Sequence, residues 1–222
     1  MRIVIDFQAV QSPGSKNRGI GRYSCSLVKE LIANRGSHEI LLVLNGCFTA
    51  SIEELRATFK ELLPPENLKV WYTSEPVSYI DQQNEWRRKV AELTRESFIA
   101  SLKPDIVIIT SLFEGLGDNC VTSIGVLGCN IPIAVIHYDL IPLVFKNMYL
   151  YNSIRKKWFY EKLESLSRAD LLLAISESSR QEAIQLLGIS DDKVISISCA
   201  ADECFQPLNI DEENKSGILK CT

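Results

Sequence analysis

Only two histidines occur in the 222 residues, and one stands where a reactive group would be useful. His137 closes the apolar run 133–136 and is followed by Tyr138, Asp139, Leu140, Ile141 and Pro142. A histidine at the end of an apolar strand, with an acid two residues later, can orient hydroxyls or move a proton near neutral pH. The plainer alternative is a core histidine satisfied by its neighbours. A second acid, Glu114, follows the apolar run 106–110 in the stretch Ser111-Leu112-Phe113-Glu114-Gly115. It could bind a hydroxyl or serve as an acid or base, or it could be a surface carboxylate capping a helix near Gly117 and Asp118.

A third candidate is the stretch 8–23, which holds Gly14, Arg18, Gly19, Gly21 and Arg22. It reads as a flexible glycine-rich loop running into a helix. Free backbone N–H groups and the helix dipole at such a start favour an anion such as a diphosphate. Arg18 and Arg22 add positive charge there, and Tyr23 follows. The alternative is a glycine pair that merely permits a sharp turn. Two nucleotide motifs fail. Gly19-Ile20-Gly21 begins like a dinucleotide fingerprint, but Ser24 replaces its third glycine and Asn45 stands where a ribose-binding acid belongs, which argues against a nicotinamide-dependent oxidoreductase. Gly14 to Gly19 begins like a Walker A loop, but Ile20-Gly21 replaces its Lys and Ser/Thr.

The remaining polar clusters read more simply. Ser176 precedes a helix as an N-cap. Asp191-Asp192 is a turn on the edge of the sheet away from the ligand side. The basic-aromatic stretches at Trp86-Arg87-Arg88-Lys89 and Arg155-Lys156-Lys157-Trp158 are solvated helix faces, or contacts for anionic lipid headgroups. Seven cysteines without a CxxC pair, and so few histidines, give no metal site. Several of these cysteines have apolar neighbours and fit a reducing compartment.

These groups must be positioned by strands at 2–7, 39–44, 68–72, 106–110, 133–137, 171–175 and 194–197. Most are apolar throughout, as strands buried on both faces of a parallel sheet are. Helices are expected at 20–34, 52–62, 85–102, 152–167 and 177–187, the first with Leu27, Leu31 and Ile32 along one stripe. Strand and helix in alternation predict an α/β, Rossmann-like three-layer sandwich with a mostly parallel sheet of about seven strands. Ligands of such sheets bind beyond the carboxyl ends of the strands, where His137, Glu114 and the residue-19 turn all fall. The composition is that of an ordinary globular protein, 46% hydrophobic and 23% charged. A net charge of −4 argues against nucleic acid. No signal-peptide core precedes the first strand, and no apolar run reaches the roughly 20 residues of a membrane span. A cytoplasmic protein follows, with peripheral contact at the inner membrane face left open.

Three stretches, in this order and spacing, resemble the N-terminal domain of the GT-B-fold, retaining glycosyltransferases of family GT4: Gly19-Ile20-Gly21-Arg22-Tyr23, residues 136–143, and residues 169–179. Within the family, the subgroup building bacterial surface polysaccharides with mannose- or rhamnose-like sugars is the most similar. The resemblance implies the acceptor-binding half of a two-domain cleft, covering residues 1–207, and a linker at 208–222 leading to an absent donor-binding domain with an E-x7-E signature. It implies that Gly19, Gly21 and Arg18 approach the donor diphosphate. His137 and Asp139 would be catalytic, and Glu114 and Tyr138 would meet the acceptor, Asp139 also lying on that side. It further implies metal-independent chemistry without a resident cofactor, a GDP-, UDP- or dTDP-sugar as donor, and a saccharide or lipid-linked acceptor. Cys199-Ala200-Ala201-Asp202 departs from the family, which has a glycine before the Asp. The fragment alone is expected to be inactive and could dimerise through its exposed cleft. The competing expectation is a non-catalytic, Rossmann-like sugar- or acceptor-binding module that pairs with a separate donor subunit.

Overall fold

The computed structural model describes residues 1–200. Seven strands form one sheet: β1 (Arg2–Asp6), β2 (Glu39–Asn45), β3 (Leu68–Trp71), β4 (Ile106–Ile109), β5 (Ile133–His137), β6 (Leu171–Ala174) and β7 (Val194–Ser196). Their order is β3-β2-β1-β4-β5-β6-β7, and every pairing is parallel. The seven sequence-predicted strands all form, and the sheet is wholly rather than mostly parallel.

The long helices are α1 (Gly19–Ala33), α2 (Thr49–Phe59) and α3 (Glu85–Ser101). Two short helices, α4 (Ile141–Val144) and α5 (Lys146–Tyr149), precede α6 (Ser153–Leu166) and α7 (Glu177–Leu187). Alternate strand residues feed two cores. On one face Ile5, Leu42 and Leu44 meet Val28 and Ile32 of α1 and Leu55 and Phe59 of α2. On the other, Val4, Val43, Ile109, Val135 and Leu172 meet Ala91 and Ile99 of α3, Leu166 of α6 and Ala183 of α7. This is the expected three-layer sandwich, with the crossovers putting the helices on both faces.

Several boundaries differ from expectation. The buried stripe of α1 is Gly21, Ser24, Val28 and Ile32. Leu27 and Leu31 lie at its flanks, half-buried. Helix α2 starts at Thr49, three residues before the predicted 52. Helices α4 and α5 were not anticipated. Helix α7 matches residue for residue: the Ser176 side chain accepts the Ser179 N–H at 3.0 Å, and Gly188 ends the helix at φ 67°. Asp191 and Asp192 sit in a short 3-10 turn, as expected. The proposed linker at 208–222 lies outside the described residues.

Candidate functional site

Because every strand runs the same way, the segments following β1, β4, β5 and β6 converge on one rim. Tyr138 fastens three of them together. Its hydroxyl lies 2.9 Å from Ser24 Oγ and within reach of the carbonyls of Thr110 (3.2 Å) and Ile20 (3.4 Å). Its ring meets Tyr23 edge to face at 5.9 Å. The start of α1 is thereby held against the ends of β4 and β5. Ile20, Ser111, Phe113, His137, Asp139 and Trp158 are among the residues lining a cavity of about 150 Å³ on this rim.

His137 is 2% exposed, so a ligand can meet it only through that cavity. Its Nε2 has no hydrogen-bond partner among the described residues. Burial pulls the imidazole below its ordinary pKa, opposed by the nearby Asp139 and Glu182 carboxylates. The ring is therefore neutral around pH 7, and a neutral ring nitrogen can accept a hydrogen bond or a proton. An unpaired buried polar atom costs roughly 1–3 kcal/mol, which a ligand hydroxyl would relieve. Asp139 is exposed, and its Oδ1 accepts the Ile141 N–H at 3.0 Å, capping α4.

Glu114 is buried rather than on the surface, and it caps no helix. It accepts hydrogen bonds from Ser15 Oγ (2.7 Å) and Ser111 Oγ (2.9 Å). Burial raises its pKa, and the serine hydroxyls oppose the rise. It thus joins the loop after β1 to the loop after β4.

The glycine-rich stretch is pinned, not flexible. Lys16 N donates to Ser12 O (2.8 Å) and Arg18 N to Ser15 O (2.9 Å). Gly21 is committed to this packing: its N–H donates to Ser15 O at 3.1 Å, and a Cβ there would fall 2.5 Å from backbone atoms of Ser15 and Lys16. Gly19 is exposed, with nothing within 4 Å of such a Cβ. Arg18 is the exposed N-cap residue and makes no side-chain cap. The open first turn of α1 begins at Gly19, and the next residue, Ile20, lines the cavity.

Sequence reasoning missed a buried polar network behind the site. Arg95 of α3 donates from Nε to Asp6 Oδ2 at 2.6 Å, both residues being 1% exposed. Gln8 Nε2 reaches Asp6 and the carbonyl of Val121 (2.7 Å), while Gln8 Oε1 accepts from Val121 N and Asn45 Nδ2. Gln11 exchanges two bonds with the backbone of Asn45. A polar residue inside an apolar run, Asp6 in Ile3-Val4-Ile5-Asp6-Phe7, was the signal available. A second cavity of about 160 Å³ lies beside the first, with Tyr79, Arg88, Glu92, Trp158, Glu161 and Lys162 in its wall. Among the described residues, no three His, Cys, Asp or Glu side chains are placed to hold a metal ion.

No protein-family profile matches the sequence. Over 217 residues the chain is 36% identical to a serotype-specific mannosyltransferase WbdA of Escherichia coli, the match covering 96% of this chain and 25% of that protein. A second WbdA of Escherichia coli is 32% identical over 187 residues, 84% of this chain and 23% of its own. The chain thus spans about a quarter of the length of the curated relatives it matches. Among solved structures, the lipopolysaccharide outer core galactosyltransferase WaaB superimposes with a TM-score of 0.52 at 14% identity, covering 91% of this chain and 46% of that one. The Arabidopsis thaliana protein UGT89C1 with UDP-L-rhamnose gives 0.51 at 11%, covering 100% and 56%. A UDP-GlcNAc 2-epimerase from Methanocaldococcus jannaschii gives 0.50 at 11%, covering 89% and 45%. At these identities the structures speak for the fold alone. The chain is thus similar in sequence to part of the WbdA mannosyltransferases, and its parallel sheet gives it the Rossmann-like fold of a domain in these solved structures.

Proposed function

We propose that this domain is the acceptor-binding half of a retaining, GT4-type glycosyltransferase. The enzyme would move a mannose- or rhamnose-like sugar from a nucleotide-sugar onto a saccharide or lipid-linked acceptor during surface polysaccharide synthesis. The observation that carries it is the buried His137, whose Nε2 has no hydrogen-bond partner among the described residues, lining a cavity beside the open first turn of α1. The match of nearly the whole chain to a mannosyltransferase supports it.

In this reading the exposed amides at Gly19 and the Arg18 guanidinium offset the negative charge of the departing nucleotide diphosphate. His137 Nε2 accepts a hydrogen bond from a sugar hydroxyl. Asp139 keeps α4 capped and the ring's surroundings negative. Glu114 and Tyr138, engaged by the protein's own groups, shape the acceptor side. Gly21 lets the loop approach closely enough to seat the turn. No resident metal or cofactor takes part, and the remainder of the polypeptide supplies the donor site. The enzyme works on the cytoplasmic side, in peripheral contact with the inner membrane face. Among the described residues no helix is long and apolar enough to cross a membrane.

The commitment of Glu114 and Tyr138 to internal hydrogen bonds favours, as a second reading, a non-catalytic acceptor-binding module working with a separate donor subunit. One assay separates the two. The complete polypeptide is given radiolabelled GDP-, UDP- or dTDP-sugars with a lipid-linked saccharide acceptor, and transfer is measured. His137→Ala should lower kcat by about 100-fold or more with little change in KM. The 222-residue chain alone should transfer nothing. Wild-type rates for His137→Ala would end the catalytic assignment, and robust turnover by the chain alone would end the half-enzyme reading.

A further inference from the structure

Helices α4 and α5 break the usual order of a protein surface. Their inward residues are ordinary: Leu140 is 0% and Leu150 5% exposed, and Leu143 packs with Trp158 and Phe159. Their outward residues are apolar as well. Ile141, Val144, Phe145, Met148, Tyr149 and Tyr151 are all exposed, Phe145 at 56%, Met148 at 67% and Tyr151 at 78%. Within one short segment this forms a patch that a monomeric soluble protein does not ordinarily present.

The charge around the patch points to its partner. Residues 141–157 contain Lys146, Arg155, Lys156 and Lys157 and no acid, in a chain whose net charge is −4. All four cations are exposed, and among the described residues only Lys157 has a carboxylate within ion-pair reach, Glu161 at 3.8 Å. Protein–protein interfaces deplete lysine at their centres. Surfaces that lie on anionic bilayers combine Lys and Arg with Phe, Tyr and Met, the rings settling among the headgroups and the cations pairing with phosphates.

We infer that the segment 141–157 is a membrane-docking surface that inserts its apolar residues into the headgroup layer of a bilayer rich in anionic phospholipid. It deepens the peripheral-contact part of the function proposed above. It holds the cavity mouth at Asp139 and Pro142 next to the lipid, where a lipid-linked acceptor would be found.

The test is co-sedimentation of the 222-residue chain with vesicles, either phosphatidylglycerol and phosphatidylcholine mixed or phosphatidylcholine alone. Binding should favour the anionic vesicles and fall as salt rises. The triple variant Phe145→Ser, Met148→Ser, Tyr151→Ser should bind about tenfold more weakly or worse. The double variant Arg155→Glu, Lys156→Glu should lose the anionic preference. Far-UV circular dichroism checks that each variant is folded. Equal binding by the variants, or no binding by the wild type, overturns the inference. So does a lipid-free dimer in sedimentation velocity that the triple variant abolishes, because the patch would then be covered by a second copy. Vesicle binding does not depend on sugar transfer, so failure here leaves the transferase reading standing, and failure of the transfer assay leaves the docking surface standing.

Discussion

Lys162 holds a charge where the fold resists one. It is 9% exposed, on α6 between α3 and the loop after β4. Its ammonium donates to the carbonyl and hydroxyl oxygens of Thr122, the latter at 2.6 Å. Burial depresses its pKa from 10.5 to about 8; Glu92 opposes the fall, and Arg95 and Arg88 add to it. Between these two values the unfolded chain holds a proton that the folded chain has released, so folding stability rises with pH across that window. Below pH 8 both states are protonated and the cost of the buried charge is constant. Measured by urea unfolding, wild type should gain on the order of 1–3 kcal/mol relative to Lys162→Met between about pH 8 and 10.5. The difference should be flat below pH 8. A difference independent of pH throughout would show that the side chain keeps an ordinary pKa.

At the scale of elements, the start of α1 shows how two glycines of one motif divide their work. A Cβ at Gly21 collides with backbone atoms of Ser15 and Lys16, which cannot move without breaking the loop. Gly21→Ala should therefore destabilise by about 1–3 kcal/mol. Gly19→Ala meets open space and should leave the thermal midpoint within a degree or two. Equal midpoints for the two variants would refute the packing role of Gly21. The sequence showed both glycines but not this division, because it depends on where residues 15 and 16 lie. The strands were legible for a local reason: apolar, β-branched runs buried on both faces need no alternation. Helices α4 and α5 were not, because the stretch from Ile141 to Leu150 is apolar without a helical period and has no capping residue at Leu140 or Phe145. The Asp6–Gln8–Asn45–Arg95 network could not be read either, since its members are brought together only by the crossovers. His137 and Ile20 line one cavity because a parallel sheet brings the segments after its strands to the same end.

At the scale of the molecule, two helical layers on opposite faces of one sheet could be expected to unfold separately. The packing argues otherwise. Adjacent residues of one strand serve opposite cores: Val4 belongs to the core under α3 and α6, and Ile5 to the core under α1 and α2. The same holds for Val43 and Leu44 of β2. Neither layer can melt without stripping a face from the shared sheet, and the Asp6–Arg95 pair ties β1 to α3 through the interior. Breaking such a buried pair alone costs roughly 3–5 kcal/mol. The 222-residue chain should therefore unfold in urea in one cooperative step, with far-UV circular dichroism and tryptophan fluorescence sharing a midpoint. Trp71 sits in the main core, and Trp158 in the smaller cluster with Tyr79, Leu150 and Phe159. In a Trp86→Phe background, which removes the exposed third tryptophan, comparing Trp71→Phe with Trp158→Phe assigns the fluorescence to each region. If the signal left by Trp158 fell at a clearly lower urea concentration than the circular dichroism, the α4–α6 end would be a separate unit. The cavity beside His137, which Trp158 helps to line, would then be only as stable as that unit.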